Sequence, residues 1–199
     1  MKLAIFLSKI LPLLFWVLLL LGFDSLYISV LTVLAAIIHE CGHLIFAPIS
    51  KRAALPRADI SGFRIDIRDM SYKEELLAAI GGPLINIFVG ILSFVLFTNS
   101  PLADYARLFG TVNVMTALSN LLPIEGYDGY KILFCIGALI FDDAGRCEAV
   151  LLWISFLLSA LMCFLSLYLI LKLGEGYWIF FVFFTLTLSV IIRRTKHNS

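Results

Sequence analysis

His39-Glu40-Cys41-Gly42-His43 lies inside a stretch, residues 26–49, that is otherwise almost wholly apolar. Residues four apart share a helix face, so His39 and His43 can grip one zinc ion together in the pattern H-E-x-x-H. An ionisable group at the centre of a bilayer costs roughly 2.5–3.5 kcal/mol even on lenient scales, so three of them demand a compensating role. The bland alternative is a structural His/Glu cluster that knits helices together. Zinc takes nitrogen, sulfur and oxygen ligands in a tetrahedron, and a catalytic site keeps one position for water. His39 and His43 supply two ligands, and a third must come from elsewhere. At comparable depth the candidates are Asp128 and Glu125, both in Asn120-Leu121-Leu122-Pro123-Ile124-Glu125-Gly126-Tyr127-Asp128-Gly129. Glu40 would stand beside the ion without coordinating it. There it can take a proton from activated water and return it to the leaving nitrogen of a peptide bond.

The chain that must position these residues has 199 of them, 61% hydrophobic and 15% charged. An ordinary soluble domain is about 45–50% apolar and 25% charged, so this composition belongs to the membrane class. The length suits one compact helical domain, residues 1–199. A formal net charge of +1 argues against a nucleic-acid partner, which needs a concentrated basic face. Lys2 and Lys9 precede a leucine-rich run that resembles a signal peptide, yet no small-residue cleavage site comes before Asp24-Ser25, so a retained first span is expected. Cys41, Cys135, Cys147 and Cys163 show no C-x-x-C spacing and read as small apolar core residues. Cys41, at a variable position of the motif, is not counted as a ligand.

Spans need about 20 apolar residues, and six segments qualify: residues 3–23, 26–49, 76–98, 105–140, 150–171 and 177–192. The expected fold is therefore an all-α polytopic membrane protein. The fourth segment is too long for one span and is interrupted by Pro123, Gly126 and Gly129, which predicts a broken helix. The basic residues Lys2, Lys51 to Lys73, Arg146, Arg193, Arg194 and Lys196 fall on one side if both termini do, so the positive-inside rule predicts cytoplasmic termini. His39 then lies roughly 15 Å from the end of span two, in its cytoplasmic half. Between residues 58 and 68 polar and apolar residues alternate after Gly62, the period of a half-buried strand or hairpin at the membrane surface. Such an edge could pair with an extended substrate. An amphipathic connector lying on the headgroups would show the same pattern.

Two separated motifs resemble those of the site-2 protease family of intramembrane zinc metalloproteases. The first is His39–His43; the second runs from Asn120 and Pro123 to Asp128-Gly129. A third element, Gly81-Gly82-Pro83-Leu84-Ile85-Asn86, resembles the small-Gly-Pro-x-x-Asn pattern that opens the span between them. The likeness covers most of the chain and runs nearest to the branch containing stage IV sporulation protein FB. It implies one zinc ion held by His39, His43 and Asp128, with Glu40 as acid and base, and so prefers Asp128 to Glu125. Family members commonly read Leu-Asp-Gly-Gly where this chain has Tyr127-Asp128-Gly129-Tyr130, and the tyrosines would reshape a substrate groove. A chain of this length is expected to lack the nucleotide-sensing domain and the peptide-binding insert that some relatives carry. Asn86 and Asn120 could hold substrate backbone or an oxyanion, or satisfy interhelical hydrogen bonds.

The expectation is a multi-pass membrane endopeptidase, with a membrane-embedded or membrane-associated protein as substrate and room for a regulatory membrane protein. A peptide bond inside a helix is shielded, so the substrate must unwind locally, held by the broken span and the strand-like loop. An inactive substrate-binding relative is the first alternative, opposed by the intact Glu40. A metal-ion transporter is the second, opposed by polar residues gathered at one depth instead of spaced along a route.

Overall fold

The computed structural model describes residues 26–48, 56–59, 62–65, 70–97, 100–141, 143–174 and 177–197. The predicted first span, residues 3–23, lies outside them. Helix α1, Leu26–Phe46, has 21 residues. At 1.5 Å per residue this is about 31 Å, the thickness of a hydrocarbon core. It stops three residues short of the predicted span because Pro48 offers no amide hydrogen and disfavours helical backbone in the residue before it. The closing bond runs from the Ala47 N–H to the His43 carbonyl at 2.9 Å.

Strands β1, Pro56–Asp59, and β2, Gly62–Ile65, then pair antiparallel, with Pro56 opposite Ile65 and Asp59 opposite Gly62. Strand β2 runs close to α1.

Helix α2, Tyr72–Phe97, begins with a capping box. Ser71 N–H and Oγ–H both donate to Glu74 Oε2, at 2.8 and 2.9 Å, which satisfies donors that a helix start leaves open. Pro83 lies in the interior of α2 without ending it. Helices in lipid tolerate such a residue where neighbouring helices take up the freed backbone groups. Helix α3 spans Ala103–Asn120. Helices α1, α2 and α3 contact one another pairwise, and α1 and α2 come close at Gly42 and Gly81. A Cβ on Gly81 would stand 2.6 Å from the Gly42 carbonyl oxygen, so only glycine permits this approach.

The chain divides into two compact units at Leu121–Leu122. The second contains α4, Asp128–Ile140; α5, Ala144–Leu173; and α6, Tyr177–His197. Asp143 caps α5 by accepting the Arg146 N–H at 2.9 Å, and Gly174 ends it in the left-handed conformation at φ 71°. Tyr130, Leu151, Leu152 and Val190 form this unit's buried cluster, with Phe134 and Phe156 against it.

Three of the described helices are long and apolar enough to cross a bilayer: Tyr27–Phe46, Tyr72–Phe97 and Ala144–Leu173. Their outward faces are apolar as well, with Phe164 and Leu171 exposed by 72% and 77%. Contiguous surfaces of this kind suit lipid and not water. The molecule is built for a membrane.

Candidate metal centre

His39 and His43 stand one turn apart on α1, seven and three residues before its end. Their ring centroids are 4.7 Å apart and their planes perpendicular. His39 is buried and His43 half-buried. The His43 Nδ1 lies 2.8 Å from the Ala78 carbonyl oxygen on α2. A carbonyl only accepts, so Nδ1 carries the proton and the lone pair is left on Nε2, the nitrogen available to a metal. Ala78 neighbours the carbonyl of Ala79, which Pro83 cannot bond in the usual helical way.

Gly82 provides the space. A Cβ there would stand 2.7 Å from His43 Nε2 and 2.8 Å from His39 Cε1. Helix α2 thus offers both imidazoles a bare stretch of backbone. The two rings border one cradle, and two neutral imidazoles are what a zinc or similar divalent ion requires. The residues present fit a metal. Glu40, the next residue after His39, is half-buried, and Cys41 faces outward, exposed instead of packed in a core.

Asn86 is fully buried in α2, and its Nδ2 donates to the Ala35 carbonyl on α1 at 3.3 Å. Ala35 lies one turn before His39, so this bond ties α1 to α2 just ahead of the first histidine. Asn120 is half-buried, and its Nδ2 donates to Thr116 within its own helix at 2.9 Å.

In the second unit Asp128 is the first residue of α4 and is only 5% exposed. The Lys131 ammonium, one turn further along α4, stands 3.7 Å from the Asp128 Oδ1. Residues 122–127 before it turn sharply. The Ile124 N–H donates to the Leu122 carbonyl at 2.8 Å and the Tyr127 N–H to the Ile124 carbonyl at 3.0 Å. Gly126, at φ 101°, has a backbone that side chains rarely allow. The Glu125 N–H donates to Ser155 Oγ on α5 at 2.7 Å, and the Glu125 side chain is half-buried.

Sequence reasoning named Gly82 only as part of the third motif, and did not find the Ala78 carbonyl, Lys131 or Ser155. Lys131 carried a local signal, the i,i+3 spacing from Asp128. Ser155 carried none, being one of several serines in an apolar helix.

Among solved structures the chain is similar to a site-2 protease from Methanocaldococcus jannaschii. The match has a TM-score of 0.61 and 21% identity, and covers 91% of this chain and 88% of that one. The fold is that of a site-2 protease. At this identity the likeness establishes the fold, and the chemistry has to be argued from the residues. No protein-family model matches the sequence, and no curated protein does.

Proposed function

We propose that this chain is an intramembrane zinc metalloendopeptidase of the site-2 protease family, cutting transmembrane or membrane-associated proteins near the cytoplasmic face. The observation that carries this reading is the pair of imidazoles, 4.7 Å apart on an apolar helix of membrane-spanning length, bordering the bare backbone of Gly82. The fold supports it. In this reading His39, His43 and Asp128 would hold the ion, and two imidazoles with one carboxylate are a donor set of catalytic zinc sites. Zinc bound by them would polarise a peptide carbonyl and make water nucleophilic at neutral pH.

The chain's own groups do the rest. Ala78 holds His43 in the tautomer that leaves Nε2 for coordination. Glu40 accepts a proton from the attacking water and delivers it to the leaving nitrogen, serving as base and then acid. In this reading the chain crosses the membrane six times, residues 105–140 forming one span broken around Pro123, and both termini are cytoplasmic. The distribution of lysine and arginine supports that orientation. The motifs favour the branch containing stage IV sporulation protein FB. The segment Gly62–Ile65 offers a strand that an unwound substrate could pair with.

Reconstitution with single-span substrates tests the proposal. Glu40→Gln should retain zinc and lose cleavage by at least about a hundredfold, as expected for a general base. A chelator should abolish parent activity, and added zinc should restore it. Cleavage by Glu40→Gln at the parent rate would reject Glu40 as the base, and activity indifferent to chelation would reject the metalloprotease reading.

A further inference from the structure

Asp128 is held at the end of an irregular segment. Within residues 122–127 the chain has a proline without a donor, a glycine at positive φ and two tight turns. Turns bonded only to themselves fix their own shape but not their place against the rest of the unit. Two described contacts contribute to that anchorage: Ile124, whose side chain is fully buried, and the 2.7 Å bond from the Glu125 N–H to Ser155 Oγ. The second is directional. It joins the backbone three residues before Asp128 to the middle of α5, the longest described helix.

We infer that Ser155 is a positioning residue for the metal centre: by holding the Glu125 amide, its hydroxyl sets where the Asp128 carboxylate stands. This inference rests on the zinc reading above. Two other serines on α5 show why the assignment belongs to Ser155. Ser159 and Ser166 are as deeply buried, yet their hydroxyls donate to Phe156 and Cys163 of their own helix, at 3.1 and 2.8 Å. They are serines of the same helix and burial that hold no loop. Among the three, Ser155 is the one whose hydroxyl holds backbone outside its own helix. A serine hydroxyl can accept this amide and still donate its own proton, so the bond asks nothing unusual of it.

The test uses the full chain, purified in phosphatidylcholine nanodiscs, with zinc affinity measured by competition with a chromophoric chelator. The visible spectrum of the cobalt-loaded protein reports ligand geometry separately. Ser155→Ala should weaken zinc binding about tenfold, the lower end for partners that orient metal ligands, and should shift the cobalt bands. Ser155→Thr, which keeps the hydroxyl, should restore both. Ser159→Ala should match the parent. If Ser155→Ala does not accumulate, Ser155→Cys, with its weaker acceptor, should show an intermediate loss. Parent-like zinc affinity in Ser155→Ala or Ser155→Cys overturns the inference, as does an equal loss in Ser159→Ala or a threonine variant no better than alanine. Asp128→Ala separates the two levels of the argument. If that variant binds zinc as the parent does, Asp128 is not a ligand and the role of Ser155 falls with it. If Asp128→Ala is weak and Ser155→Ala is not, only the role of Ser155 is lost.

Discussion

Gly82→Ala adds a single methyl group beside two imidazoles, and its cost can be worked from distances. The new Cβ would stand 2.7 Å from His43 Nε2 and 2.8 Å from His39 Cε1, whereas ordinary van der Waals contact begins at 3.4 Å. His43, whose Cε1 would lie 2.6 Å from the new Cβ, would have to withdraw by about 0.8 Å, and its ring is tethered to Ala78 of the same helix α2 by a 2.8 Å bond. Metal–nitrogen distances tolerate only about 0.2 Å, so a shift of this size removes an effective ligand. Zinc affinity should fall by tenfold or more, about 1.4 kcal/mol at the least, with cleavage falling alongside. Chelator competition in nanodiscs measures the first and substrate cleavage the second. Gly110→Ala is the control, since its added Cβ meets the Gly90 carbonyl at 3.0 Å and the Phe94 ring at 3.1 Å, not an imidazole. It should lower thermal stability while zinc affinity per folded molecule stays at the parent value. A Gly82→Ala protein that binds zinc as tightly as the parent would show that the imidazoles do not use this cradle.

Two further outcomes are expected. Asp128→Ala should lower zinc occupancy while Glu125→Ala leaves it largely intact, measured as metal per protein after dialysis; the reverse result reassigns the third ligand. Asn86→Ala should lower stability by about 1 kcal/mol, within the range for interhelical hydrogen bonds in membranes, seen as a reduced thermal midpoint in detergent. An unchanged midpoint would mean that the bond to the Ala35 carbonyl contributes nothing net.

The local elements were legible in the chain because their signals are short in range. Apolar runs of membrane length marked α1, α2 and α5, and the alternation after Gly62 marked the strand that became β2. Spacing of four put the two histidines on one face. Prolines and glycines were read with less success. Pro123 and Gly126 do lie between helices, but Gly129 is buried in the first turn of α4, whereas Pro83 sits within α2, inside the span expected over residues 76–98. Such residues break a helix only when no neighbour satisfies the backbone they disturb, and the neighbour is a tertiary fact.

The sequence by itself singled out the candidate residues: His39, Glu40 and His43 on one apolar helix, with Asp128 and Glu125 as the carboxylates to choose between. Tertiary structure decided how those residues are held. The His43 ring is oriented by a carbonyl 35 positions away, α1 is tied to α2 across 51, and the turn before Asp128 is tied to α5 across 30. Each tie joins a side chain to a backbone group, and every residue type presents the same backbone. No spacing or composition can announce such a partner, and only the packing of helices selects it.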